Sequence, residues 1–506
     1  MKNALEWLEN SAEKYPYKIA YESNDKKYTF SEVMLYAQKI GSQIIKRNAD
    51  NTPIATILDR NVDTILDYLG IVYSGHAYAP IDANLPDARI EVILHLLKPQ
   101  LIITNNKNRE KVEDILTKVK LNSSVLIEDE LRKGEIDSLS INNIRKNMCS
   151  TDPLYVIFTS GSSGRPKGVI TSHMTLINYI QAYADVMEIN EHDRLGNQSP
   201  LDYIAAIRDI YLPIYKSAYT FILPKEFFMQ PVKLTDIMNE KKITCIGWSA
   251  SALAVLTKLG IFKECQLHYL KKICFSGSII PNNVIMDWQK HLPKTCMVNQ
   301  YGPTEATASC TYYIIDHTIT EHEVLPIGRP YDNYRVFLLK NDGTEAGYGE
   351  LGEICVGGPV LALGYYGDAE RTQASFVQNP LQKMYDDRIY RTGDIGRYNS
   401  EGLLEFHGRK DRQIKHLGHR IELDEIECEA LKIADVSEAA TVYASDTDTV
   451  YLYYTGQITV RDIVIDLRKR LPGFMVPRKV ICLNDIPKLP NGKIDINKLK
   501  QLSKEN

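Results

Sequence analysis

Residues 155–173 read YVIFTSGSSGRPKGVITSH. The apolar, β-branched opening YVIFT predicts a strand. It runs into Thr159-Ser160-Gly161-Ser162-Ser163-Gly164 and then Arg165-Pro166-Lys167-Gly168. Glycines at 161, 164 and 168 permit tight turns and close backbone approach. Four hydroxyls and successive N–H groups can wrap a phosphate, and Lys167 adds positive charge. This is not a Walker loop, whose lysine is followed by Ser or Thr, because Lys167 precedes Gly168. Pro166 also blocks an immediate helix. Gly/Ser-rich surface loops are common, so this stretch alone leaves a phosphate cradle and a plain loop both open.

Outward from this segment, short apolar runs alternate with helical periodicity. IATIL (54–58), QLIITNN (100–106) and KICFSG (272–277) read as buried strands; VDTILDYLGIVYSG (62–75) and VKLTDIMNEKK (232–242) read as helices. That alternation predicts layered α/β subdomains with largely parallel strands. From about Leu325, glycine-punctuated runs such as 347–358 and 396–410 predict antiparallel hairpins or a small barrel. Beyond Asp411 a compact α+β tail follows. The expected fold is therefore a large α/β N-terminal domain with a small barrel, residues 1–410. A small α+β C-terminal domain, residues 411–506, completes it. The Asp137-Ser138-Leu139 stretch inside the first unit reads as a loop.

Composition narrows the function. Sixty Lys+Arg against 64 Asp+Glu leave a formal charge of −4, which argues against nucleic-acid binding and membrane-surface attachment. Nine scattered cysteines without a CxxC pair exclude a zinc knuckle or a disulfide scaffold and suit a cytoplasmic protein. No apolar run is long enough to span a membrane. Tyrosines outnumber phenylalanines 31 to 11, and an aromatic with a polar tip suits clefts and seams between domains.

Four further segments accompany the first: NQYGPTEATASC (299–310), YRTGDIGRY (390–398), GRKDRQIKHLGHRIELDEIE (408–427) and LPNGKID (489–495). Together and in this order they resemble the adenylate-forming superfamily of acyl-CoA synthetases, luciferases and nonribosomal peptide synthetase adenylation domains. A stand-alone amino-acid adenylation enzyme is the nearest likeness. The resemblance spans nearly the whole chain. It implies an ATP- and Mg²⁺-dependent ligase that makes an acyl-adenylate and pyrophosphate, then passes the acyl group to a thiol.

Residue by residue, the resemblance gives Thr159, Ser160, Gly161, Ser162, Ser163, Gly164 and Lys167 to the phosphates. It also gives Asn299, Tyr301 and Gly302 to the nucleotide, with Tyr301 stacking on adenine. Thr304 would meet the α-phosphate and Glu305 would bind Mg²⁺, a hard cation suited to carboxylate and phosphate oxygens. Asp394 and Arg409 match ribose contacts, and Asp411 the hinge. Lys493 matches the catalytic lysine that offsets like-charge repulsion between carboxylate and α-phosphate. The loop around Gly418 resembles the lining of a pantetheine tunnel.

The substrate pocket departs from the family pattern. Gapless matching puts Ile204 where amino-acid-activating members carry an aspartate; a two-residue insertion gives that role to Asp202. Both alignments stay open. Arg208 then either meets a substrate carboxylate or, the reading preferred from sequence, pairs with Asp202 or Asp209. Ala205, Gly247, Cys274, Ser276, Gln300, Ala308 and Ser309 complete a wall of mostly small, mildly polar residues. They suit a polar or modest-sized acid rather than a fatty acid: an α-, β- or D-amino acid or an aryl acid. With no attachment serine after the tail, the expected acceptor is a separate phosphopantetheinylated carrier protein, the alternative being free CoA. A monomer or weak dimer is expected.

Overall fold

The computed structural model describes residues 2–47, 50–161, 165–416, 418–488 and 494–505. Strand Pro153–Thr159 pairs antiparallel with Lys167–Ser172, Thr159 lying opposite Lys167. The glycine-rich stretch is thus the connection of a hairpin whose two ends are fixed by sheet register. The hairpin joins a seven-stranded sheet. There Tyr78–Asp82, Ile54–Leu58, Leu101–Thr104 and Ser124–Ile127 follow side by side and parallel. IATIL is buried along its whole length, as a strand covered on both faces must be.

A nine-stranded sheet sets Arg194–Asn197, Cys245–Ser249, Lys272–Ser276 and Cys296–Tyr301 parallel to one another. Their carboxyl ends therefore deliver Asn197, Ser249, Ser276 and Tyr301 to one edge, where ligands of open α/β sheets bind. Helices His173–Val186 and Ile207–Lys216 share one core with both sheets. Leu176, Ile180, Ile210 and Ile214 pack there with Leu154 and Ile157 from the first sheet and Leu195 and Val298 from the second. Ser172 caps the former helix by accepting the Thr175 N–H. Tyrosines do much of the joining. Tyr68 stacks on Tyr78 at 4.5 Å, and the Tyr78 hydroxyl lies 3.2 Å from that of Tyr211.

Helix Val62–Tyr73 is buried on every side, which its sequence VDTILDYLGIVY permits. It crosses helix Phe30–Ile45 so closely that a Cβ on Gly70 would lie 2.5 Å from Ile40 Cβ. Thr29 and Glu32 form a capping box that starts the latter helix.

Residues 335–409 form a third, antiparallel sheet from the glycine-punctuated hairpins. A two-stranded hairpin, Gln413–His416 with His419–Glu422, leads into helix Leu423–Leu431 and a small sheet of Val436–Ala444, Thr449–Gly456 and Lys479–Cys482. Strand alternation gives this sheet two faces. Leu452 and Tyr454 pack on Ile426 and Leu467, while Tyr451 and Tyr453 pack on Ile486 and Leu499. The architecture is the large layered α/β unit followed by a small α+β unit that the sequence predicts.

One expectation fails. Asp137-Ser138-Leu139 is not a loop: Asp137 accepts the Ser140 N–H at 3.1 Å and caps helix Ser138–Asn147. A short Asx side chain at a turn doubles as an N-cap, which the loop reading overlooked. The nine cysteines are unpaired. Among the described residues no helix is long and apolar enough to cross a membrane.

Candidate active site

The site assembles around one carboxylate. Glu305 sits in a short helical turn, Thr304–Ala306, just past the end of strand Cys296–Tyr301. Its side chain is fully buried and receives Lys167 Nζ at 2.9 Å, Arg420 Nη1 at 2.8 Å and the Tyr365 hydroxyl at 2.8 Å. Burial alone would raise this carboxyl, but Arg420 and then Lys167 hold it well below the usual range. Burial and the neighbouring Arg420 lower Lys167, against the pull of Glu305. Among the described residues the buried Arg420 Nε–H has no hydrogen-bond acceptor.

Beside this hub lies the loop start. Ser160 donates its hydroxyl to the Arg420 carbonyl at 2.6 Å, and the Gly161 N–H donates to Glu425 at 3.3 Å. Gly161 cannot carry a side chain, because a Cβ would meet the Arg165 carbonyl oxygen at 2.0 Å. Thr159 and Lys167 are buried at the base. Ser162, Ser163 and Gly164 lie outside the described residues, as does Lys493.

A second group adjoins it. Tyr301 donates its hydroxyl to one oxygen of Asp394, and Arg409 pairs with the other. Arg409 also reaches both oxygens of Asp411, at 2.6 and 2.8 Å. Lys415 lies over the Tyr301 ring, 5.1 Å from its centroid. Gly302 turns tightly against Ser309, whose Cα a Cβ would meet at 2.5 Å. Asn299 is tied to the Pro326 carbonyl at 2.8 Å, and Thr304 is buried beside Glu305.

The third group is the pocket region. Arg208 is 1% exposed, on helix Ile207–Lys216. Its guanidinium donates to Cys274 Sγ at 3.2 Å, Gln300 Oε1 at 3.1 Å, Gly247 O at 3.2 Å and Ala205 O at 3.2 Å. Ser309 also donates to Gln300 Oε1, at 3.2 Å. The sequence preference for an ion pair with Asp202 or Asp209 is not met at contact: the hydrogen bonds of the Arg208 guanidinium go to neutral groups, and Asp209 acts on it through space. Asp209 turns instead to Asn197 Nδ2 at 2.7 Å, and burial pushes its carboxyl up to about 6. Asp202 belongs to a different neighbourhood, beside Asp82 and Tyr68; its dense surroundings, with Asp82 adding, push it up to about 7. Ile204 is buried in the inter-sheet core. Ala205, Ser276 and Ala308 are half-buried around the Arg208 group.

The tip of hairpin 413–422 covers this side. Tyr203 donates to the Gly418 carbonyl at 2.9 Å, and a Cβ on Gly418 would meet Ser249 Cβ at 2.7 Å. Gly418 holds φ +79°, a left-handed conformation that suits glycine. Arg89 clamps the following helix through Glu425. Sequence reasoning missed Arg420, Glu425, Lys415 and Tyr203 as site residues. The first three stand in or beside the quoted motif 408–427, but their partners lie more than 100 residues away.

Among the described residues no group of three or more His, Cys, Asp or Glu is arranged to hold a metal. A magnesium–nucleotide needs only one or two protein carboxylates, and among the described residues of this hub Glu305 is a carboxylate that would have to be released from Lys167, Arg420 and Tyr365 to serve it.

The chain resembles known proteins over nearly its whole length. The chain is 29% identical over 516 residues to the D-alanine--D-alanyl carrier protein ligase of Bacillus cereus (strain AH187), covering 98% of both proteins. It is 28% identical over 509 residues to gramicidin S synthase 1 of Brevibacillus brevis, covering 99% of this chain but 44% of that protein. A double mutant of o-succinylbenzoate CoA synthetase from Bacillus subtilis shares the fold, with a TM-score of 0.85 at 20% identity over 99% of this chain and 98% of that one. The family model described as AMP-binding enzyme matches residues 8–366, and the chain belongs to that family.

Proposed function

We propose that the protein activates a small amino or related carboxylic acid with ATP, as the acyl-adenylate, and transfers it to the phosphopantetheine thiol of a separate carrier protein. The observation that carries this reading is the cationic cleft, in which Lys167 and Arg420 converge on the fully buried Glu305. Attack of a carboxylate on an α-phosphate presses two anions together, and preorganised cations in a water-poor cleft are what lower that barrier. The carrier-protein acceptor is supported by the ligase relative that matches this chain end to end.

In this reading Thr159, Ser160, Gly161 and Lys167 hold the departing phosphates, with Ser162, Ser163 and Gly164 completing the loop. Tyr301 offers its ring to adenine, and Asp394 and Arg409 take the ribose. Thr304 contacts the α-phosphate. Magnesium, held by Glu305, would add positive charge to the phosphates. Residues 411–506 move as a unit about Asp411 and bring Lys493 to the reacting atoms for the first step. The hairpin tip at Gly418 frames the thiol's entry for the second.

Purified protein, ATP and a panel of amino, β-amino and aryl acids should show acid-dependent pyrophosphate exchange or hydroxamate formation. Silence across the whole panel would overturn the reading. With an active acid in hand, consumption of free CoA without a carrier protein would reassign the acceptor.

A further inference from the structure

The pocket contains a charge without a counter-charge. Arg208 is always protonated, and it is sealed from water at 1% exposure. Its donors meet two backbone carbonyls, an amide oxygen and a thiol, all neutral. The Tyr183 ring, 5.5 Å from Cζ, offsets part of the cost, but a guanidinium buried against neutral groups remains unfavourably placed until an anion completes it. The nearest charged group, Asp209, acts through space but is committed to Asn197.

A second unmet group stands beside it. Gln300 is 2% exposed, and its Oε1 takes both Arg208 and Ser309. That fixes the amide's orientation and leaves Nε2 buried with no acceptor. Guanidinium and amide together thus offer donors only, and both seek an oxygen. Gly247 makes the arrangement possible: a Cβ there would lie 3.3 Å from the Tyr183 hydroxyl and 3.4 Å from Arg208 Cζ. A methyl group there would already be tight against Tyr183 and in contact with the guanidinium, so side chains beyond alanine have little room.

We infer that the acid activated here carries a second anionic group, and that Arg208 and Gln300 Nε2 receive it. The substrate class is a short dicarboxylic or amino-dicarboxylic acid, one carboxylate going to the phosphate and the other to Arg208. Arg208 then acts as a specificity residue and takes no part in the bond-making step. This inference rests on the adenylation reading above, and the two fail differently.

The test is a matched panel in acid-dependent pyrophosphate exchange with the full chain. Aspartate and glutamate in both hands, succinate and glutarate are set against asparagine, glutamine, alanine, β-alanine and benzoate. The expected result is a kcat/KM at least ~100-fold higher for one of the dicarboxylates than for its uncharged counterpart, because a site with buried donors rejects a ligand that leaves them unpaired. In Arg208→Gln that ratio should collapse, chiefly through KM, with kcat for the dicarboxylate changing less. Arg208→Lys should keep part of the preference, and Gln300→Leu should lower it without altering the charge. The wild-type panel decides even if a variant does not fold. Exchange driven by uncharged acids and not by dicarboxylates overturns the inference and leaves adenylation standing. Silence from every acid overturns adenylation itself.

Discussion

Asp394 spends one oxygen on Tyr301 and the other on Arg409, so two side chains of the proposed nucleotide site depend on a single carboxylate. Asp394→Ala leaves Arg409 with one partner fewer in a buried place and removes the proposed ribose acceptor. Hydrogen bonds to charged groups contribute about 1.5–3 kcal/mol each, so ATP should bind at least ~10-fold more weakly in titration calorimetry. Unaltered affinity would remove Asp394 from the site. His173 makes a different kind of statement. It is 1% exposed, its Nδ1 faces the Ala4 N–H at 3.4 Å, and burial, helped by Arg145, lowers it from 6.5 to about 3. The unfolded chain takes up this proton near pH 6.5 while the folded one resists until about 3. Stability is therefore complete above pH 6.5 and drains away as pH falls through that window, by ~1.4 kcal/mol at pH 5.5. Denaturant midpoints at pH 7.5 and 5.5 should differ less in His173→Gln than in the parent; an equal difference would show that other groups govern the slope. Residues such as Lys167, Tyr301 and Asp394 were legible because each stands inside a short motif. Arg420 was not, since its partner Glu305 is 115 residues away and only the fold joins them. Arg208 was visible, but its partners were not. Sequence proximity favoured Asp202 or Asp209, whereas the helix turns the guanidinium toward three strand residues.

At the scale of elements, apolar runs announced the strands of both large sheets, and composition marked where the glycine-punctuated sheet begins. Sheet order is another matter. Nothing local reveals that Arg194–Asn197 lies between Cys245–Ser249 and Tyr219–Ile222, because crossovers are settled by packing of the intervening helices. The hairpin at 413–422 shows how little material shapes the cleft. Its tip glycine has both a left-handed φ and a neighbour, Ser249, that leaves no room for a methyl group. Gly418→Ala should therefore preserve acid-dependent pyrophosphate exchange, which the proposal assigns to a different placement of residues 411–506. It should slow transfer to the thiol at least ~10-fold, as expected when closely packed atoms are displaced by about an ångström. Equal losses in both half-reactions would place the glycine's importance in folding instead.

Over the whole molecule, helix Leu423–Leu431 faces the cleft through Glu425, while Ile486 and Leu499, described on either side of Lys493 in sequence, belong to the opposite face of the small sheet. Ile486 and Leu499 pack there on Tyr451 and Tyr453, and Lys488 bridges to Ile494. In this arrangement the cleft is met by the hairpin. On the proposed function, Lys493→Ala should abolish adenylate formation while ATP binding persists. Near-normal pyrophosphate exchange in that variant would return Lys493 to the status of a surface residue.

The grip of the small unit on the glycine-rich loop carries a thermodynamic consequence. The Gly161 N–H is held by the Glu425 carboxylate and the Ser160 hydroxyl by a carbonyl of the same unit, so these two donors already have oxygen partners. To the loop, Glu425 is a tethered stand-in for phosphate. Nucleotide phosphates and the seated unit then compete for the same hydrogens, and by linkage each weakens the other by an equal factor. A population seated nine-tenths of the time would bind ATP ~10-fold more weakly than the freed site, and saturating ATP would unseat it. On the proposed function, the seated unit would act as an internal competitive inhibitor, one whose local concentration the covalent connection sets and no dilution can lower.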